Sequence, residues 1–359
     1  MDGDNNLESA AVTDFNEMEQ VGSSDRVNIV VQLDRYSDYT HCKRYLVTKD
    51  SNTSTISSTV LQDLGNVDMG SSSSLLSFLN YGISQYPADH YMAILWDHGS
   101  GWKRKALSSQ VKGLCYDDHG TNLTIHNLRD VFSQVRTILG KNIDLLGFDA
   151  CLMQMLEVAY EVRNSTDYIV GSEETMPTTG LVYNQTLQRL VSNPDLTPAQ
   201  LGNYFVQDYF NYTSSTGLTL SNLSMSQFNG VLTALSNFSS LLISNMSTYK
   251  STLRTQAVTA QYYSSPYTDY SDLYDFARLV KANISNSSIQ TAATSLMSAI
   301  TTLMAAEVHS YDSTVVNSHG LSIWLPNSSQ YSSYSASYAA KLDFPAAHNW
   351  DDFLAALWQ

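Results

Sequence analysis

Tyr91-Met92-Ala93-Ile94-Leu95-Trp96-Asp97-His98-Gly99 and Ile143-Asp144-Leu145-Leu146-Gly147-Phe148-Asp149-Ala150-Cys151 are two apolar runs that each stop at a reactive side chain. Short apolar runs of this kind read as buried strands. In open α/β sheets the carboxyl ends of the strands are where ligands and chemistry gather. A His and a Cys delivered separately to that edge predict a nucleophile and its proton partner.

Outward from these runs, strand and helix patterns alternate. Leu7 to Val21 reads as a helix, Val27 to Leu33 as a strand and Arg44 to Val47 as its neighbour. Ser71 is placed to start a helix through Leu75, Leu76, Phe78, Leu79 and Ile83, and Asn122 to Leu139 and Leu152 to Arg163 read as two more. Such alternation predicts an α/β fold with a mainly parallel sheet sandwiched by helices. From Thr197 the pattern becomes helical: Thr197-Pro198 caps one helix, Met225 to Ala260 carries a long apolar periodicity, and Asp272 to Ile284 is a third. The expected organisation is a catalytic core over 1–196, a helical addition over 197–310, and a return to the core over 311–359 with a strand at Gly320 to Leu325 and a closing helix from Asn349 to Trp358.

Taken singly, a Cys is more often an inert buried residue and a His a surface group. Their surroundings point further. Asp97-His98-Gly99-Ser100-Gly101 gives His98 a glycine-flanked turn where backbone can approach a substrate. Cys151 is expected to open a helix presenting Leu152, Met155, Leu156 and Ala159 on one face, so that the helix dipole favours its thiolate.

The turn Asp97 to Trp102, the segment Gly147-Phe148-Asp149-Ala150-Cys151-Leu152-Met153 and the opening Met1-Asp2-Gly3-Asp4-Asn5-Asn6-Leu7-Glu8 resemble the clostripain family of cysteine peptidases. So do Asp272 to Ala277 and Asn317 to Pro326, and the matches run in order along nearly the whole chain. The resemblance implies a caspase-like α/β sandwich, with Cys151 attacking the scissile carbonyl, His98 moving protons, and the backbone amides of Gly99 and Cys151 forming an oxyanion hole. It implies no metal or other cofactor in the chemical step, and leaves a calcium dependence open. His319, before Gly320 in the late strand, is left as a structural residue.

The resemblance also implies that Asp149 lines a pocket for a basic residue before the cleaved bond, which fits a strand in which residues two apart share a side. Capping of the following helix is the alternative for this Asp. Glu173 and Glu174, after the expected strand Tyr168 to Gly171, are further candidates for that pocket. Activation by self-cleavage between the His and Cys segments is implied too, and the interval holds Lys103, Arg104, Lys105 and Lys112 in a chain poor in basic residues. Lys112-Gly113 is the preferred bond and Lys105-Ala106 the next.

Composition bounds the partners. The net charge of −15 argues against nucleic acid and suits attraction of basic peptides. No run approaches the roughly 18 apolar residues of a membrane span. Three Cys leave Cys151 free whether Cys42 and Cys115 pair or stay buried thiols. Asp117-Asp118 falls short of a calcium site, and the His residues lack zinc-site spacing. Eleven Asn-x-Ser/Thr sequons, Asn52 and Asn327 among them, hint at an extracellular or cell-surface protein, and a monomer is expected. No export signal is evident in this chain. The opening residues match the loop after the family's first strand, so that strand is expected upstream of Met1. Two other classes share these features: an inactive surface binding module, which should lose the dyad, and a transpeptidase or ligase, in which an amine replaces water.

Overall fold

The computed structural model describes residues 1–38, 40–104, 112–117, 120–263 and 268–359. The chain opens with β1 (Asp2–Gly3) and α1 (Glu8–Val21), followed by β2 (Val30–Arg35), β3 (Lys43–Leu46) and β4 (Thr59–Asp63). These four strands form one sheet in sequence order, β1 parallel to β2 and the rest antiparallel. Helix α2 (Ser72–Gln85) begins where Ser71 accepts a hydrogen bond from the Ser73 amide, a cap that satisfies an otherwise orphaned donor.

The central sheet then starts with β5 (Met92–Trp96), and the chain turns through a hairpin of β6 (Gly99–Arg104) and β7 (Lys112–Leu114). Helix α3 (Ile125–Leu139) carries a full capping box between Thr124 and Asn127 and returns the chain to β8 (Ile143–Asp149). Helix α4 (Leu156–Val162) and β9 (Thr166–Gly171) complete the parallel part. Strands β5, β8 and β9 are adjacent and parallel, as their apolar character requires.

Beyond α5 (Tyr183–Ser192) and α6 (Pro198–Tyr212), the stretch expected to be wholly helical also gives β10 (Thr219–Ser224) to the central sheet, antiparallel to β9. Helices α7 (Phe228–Ser244) and α8 (Met246–Thr259) break the long periodicity at Asn245. After β11 (Tyr270–Asp272), α9 (Leu273–Asn283) and α10 (Ser287–Leu303), strand β12 (Met304–His309) closes the sheet, giving the order β12-β10-β9-β8-β5. The late strand β13 (Ser322–Trp324) pairs with β11 and bridges to Met155, so it braces the loop after Cys151 rather than joining the sheet. The chain ends with α11 (Ser328–Lys341), α12 (Asp343–Ala347) and α13 (Trp350–Trp358).

Alternation along β8 separates two cores. Leu145 faces an apolar cluster with Phe15 of α1, Leu187 of α5 and Phe205 of α6, while Leu146 and Phe148 face Val158 of α4, Phe132 of α3 and Phe276 of α9. Every β8 residue is buried, which is the sandwich expected of this run.

Candidate active site

Pairing of β5 with β8 runs from Met92 opposite Leu145 to Trp96 opposite Asp149, and the Asp97 amide extends it by donating to the Asp149 carbonyl at 3.2 Å. His98 and Cys151 follow these paired ends in their respective segments. The two chains then touch at Gly99. A Cβ there would lie 2.3 Å from the Cys151 carbonyl oxygen and 3.0 Å from its nitrogen, so only glycine admits the contact. Gly101 follows with φ +60° and leaves room for Met155 and Tyr270.

His98 is oriented from the amino-terminal segment. Its Nε2 lies 2.9 Å from Asn6 Oδ1, and an amide oxygen only accepts, so Nε2 carries the hydrogen and the lone pair is on Nδ1. The edge of the Tyr116 ring packs on it at 6.0 Å. Burial lowers the His98 pKa, keeping the ring neutral and able to take a proton. The preceding Asp97 is buried and accepts from Asn5 Nδ2 at 2.8 Å and from the Tyr116 amide. Burial pushes that carboxyl up to about 8. Asn5 and Asn6 escaped the residue-level reading because an Asn pair in a polar turn carries no spacing signal; only the resemblance of the opening segment marks them.

The residues after Cys151 depart from the expected helix. Leu152 takes φ +63°, its amide donates to the Glu174 carbonyl at 3.2 Å, and the Gln154 amide donates to the Ser172 carbonyl at 3.0 Å. The left-handed residue and this lateral pairing delay α4 to Leu156, whose N-cap, Met155, makes no side-chain cap. The helix dipole therefore does not begin at Cys151, and Asp149 does not cap α4. Burial raises the Cys151 pKa, while its Sγ accepts from the Met176 amide at 3.2 Å. Burial thus favours the neutral thiol over the thiolate.

Asp149 is 5% exposed and projects to the face covered by α1 and α5. It accepts from the Leu181 amide at 3.1 Å and from the Tyr183 hydroxyl at 2.8 Å. A second acid, Asp14 of α1, comes to the same place: a Cβ on Gly180 would meet Asp149 Oδ2 at 2.7 Å and Asp14 Oδ2 at 3.0 Å. Asp14 also accepts from Trp96 Nε1 at 2.7 Å, and Glu17 of α1 accepts from the Tyr183 amide at 2.9 Å. Burial first and the Asp149 charge second push the Asp14 carboxyl far up; burial also raises Asp149. The buried hydroxyl of Tyr209 makes no hydrogen bond, and burial first, then the nearby Asp149, Cys151 and Glu174, raise its pKa. Asp14 was hidden in the sequence because it sits in a helix whose polar residues look like a solvated face.

The other candidates are spread out. Glu173 accepts from the Gly320 amide at 2.8 Å and lies beside Asp272 and Tyr263, tying the sheet to the carboxyl-terminal third. Glu174 is buried near Cys151 and its Oε1 accepts from the Thr175 amide at 2.6 Å. His319 stacks on Tyr274 at 3.9 Å and its amide donates to Asp272, which is also the N-cap of α9. Lys103 is buried in an ion pair with Asp269 and lies over the rings of Tyr270 and Tyr334. Lys112 is in β7, opposite Arg104; Lys105 lies outside the described residues, as do Asp118, His119 and Tyr267. All three cysteines are free, so the alternative of a Cys42–Cys115 disulfide does not hold.

The sequence profile of the clostripain family matches residues 1–358. The chain belongs to the clostripain family of cysteine peptidases. This clostripain-family peptidase is 26% identical to clostripain of Hathewaya histolytica, over 93% of this chain and 75% of that protein. Its fold is shared with a secreted C11 cysteine protease from Bacteroides thetaiotaomicron, solved with an irreversible peptide inhibitor, at a TM-score of 0.71, 21% identity and 98% coverage of each chain. It is shared as well with an inactive zymogen C11 protease from Parabacteroides distasonis, at a TM-score of 0.72 and 18% identity, covering 100% of this chain and 96% of that one. No helix among the described residues of the clostripain-family chain is long and apolar enough to cross a membrane.

Proposed function

We propose that this cysteine peptidase is an endopeptidase that cleaves after Arg, and less strongly after Lys, using a His98–Cys151 dyad. The observation that supports the reading is the parallel pairing of β5 with β8, strands that His98 and Cys151 follow, with buried Asp149 acting on the thiol and meeting Asp14 at Gly180. His98 Nδ1 takes the Cys151 proton, and the thiolate attacks the scissile carbonyl. The amides of Gly99 and Cys151 receive the oxyanion; His98 then gives its proton to the leaving amine. Water, deprotonated by the same nitrogen, hydrolyses the acyl-enzyme and restores the thiol. A guanidinium fork matches paired carboxylate oxygens better than the point charge of an ammonium, which sets Arg above Lys.

Self-cleavage after Lys105 or Lys112 is the activation step in this reading. It is supported by the basic interval between the two catalytic residues and by the description of one related structure as an inactive zymogen. Action outside the cell is supported by the secreted relative and by sequon residues Asn52, Asn164, Asn211, Asn237 and Asn327 at exposed positions. The test is turnover of peptide reporters bearing Arg, Lys, Asp or Leu before the bond. Cleavage after Arg and Lys that vanishes in Cys151→Ala is expected. Turnover that survives the substitution, or that favours Asp or Leu, overturns the proposal.

A further inference from the structure

Apart from His98 and Cys151, three metal-ligating side chains converge from three helices. His126 lies in the first turn of α3, Glu161 near the end of α4, and Asp343 opens α12. One ligand atom from each falls within 4.8 Å of the others. His126 Nε2 and Asp343 Oδ1 are 3.7 Å apart, against about 3.4 Å for two ligands of one tetrahedral zinc.

The outer contacts prepare these atoms. Glu161 is 4% exposed; its Oε1 accepts from the Asp343 amide at 2.8 Å, leaving Oε2 buried with no hydrogen-bond partner. Arg129 donates to Asp343 Oδ2 at 2.6 Å, which leaves Oδ1 turned to His126. His126 Nε2 is itself buried without a hydrogen-bond partner. Each carboxylate is therefore oriented through one oxygen and open at the other, the arrangement by which outer-shell donors aim metal ligands. Arg129 stays 3.9 Å from Glu161 Oε2, too far to satisfy it.

We propose that His126, Glu161 and Asp343 bind one divalent transition-metal ion that pins the carboxyl-terminal segment to the core. One imidazole nitrogen with two carboxylate oxygens suits Zn²⁺, and the half-exposed Asp343 leaves a position for water. The role is structural and stands apart from the peptidase reaction.

Zn²⁺ itself is the probe, added to chelator-treated Cys151→Ala protein so that the catalytic thiol cannot take the ion. One Zn²⁺ per chain is expected by calorimetry and elemental analysis, with a rise in melting temperature. Since loss of an outer-shell partner alone costs 10–100-fold in affinity, His126→Ala and Glu161→Gln in that background should each weaken binding more than about 100-fold. Circular dichroism in chelator selects the variants that fold, and either one suffices. No uptake by the folded Cys151→Ala protein, or uptake that the folded variants leave unchanged, overturns the site.

Discussion

Asn6 holds the imidazole of His98 in one tautomer through a single 2.9 Å contact. Asn6→Ala frees the ring to expose either nitrogen, and kcat should fall about 100-fold with KM within a few-fold, measured on an Arg reporter. If Asp149 holds the substrate guanidinium as proposed, Asp149→Asn leaves it buried without its anion, a loss of about 3 kcal/mol or more, so kcat/KM for Arg should drop over 100-fold while any slow Leu cleavage persists. The sign of the pH effect follows from burial. Because the Asp149 carboxyl is raised, it gains its proton at a higher pH than an ordinary Asp, and Arg cleavage should decline already in mildly acidic solution. Asp14, raised to about 9, is already protonated over that range, so Asp14→Asn should leave the acid limb unmoved; a limb that shifts would show that Asp14 carries charge there.

The turns that frame the site are made by glycines whose replacement has distinct costs. Gly180→Ala meets both a φ of +51° and the two carboxylates, so it should lower stability by about 1–2 kcal/mol and Arg cleavage at least tenfold, read by thermal melting and reporter kinetics. Much at this scale was legible beforehand. Ser71, Thr197 and Asp272 announce their helices because caps depend on local backbone geometry, whereas the helix expected from Asn122 begins only after its Thr124 cap. Strand β10 was missed because Thr219-Leu220-Ser221-Asn222-Leu223-Ser224 looks like a polar loop; its Ser221 and Asn222 are buried only because Gln154 and Asn203 supply partners from elsewhere. Strand β12 was missed because it follows α10 without a turn residue. His98 and Cys151 could be read from strand ends, whereas Asn6 and Asp14 gain their meaning from tertiary contacts.

Across the whole molecule, buried acids couple stability to pH. Burial raises Asp97 to about 8 and Glu157, which accepts from the Trp324 amide and the Tyr338 hydroxyl, to about 7. From about pH 4 upward the unfolded chain has released protons that the native state keeps, so stability falls as pH rises and levels off above the native pKa values. The melting temperature should be higher at pH 5 than at pH 8, checked by differential scanning fluorimetry. The placement of β5 adds a consequence for the activated enzyme. It is the one described strand of the central sheet that precedes the basic interval, and it is paired along its length with β8, which follows it. Lys103 on one side of that interval is likewise locked to Asp269 on the other. A nick after Lys105 or Lys112 would thus divide the polypeptide without dividing the particle: two bands in denaturant, one species on a native column, with His98 and Cys151 on separate chains that still share one sheet.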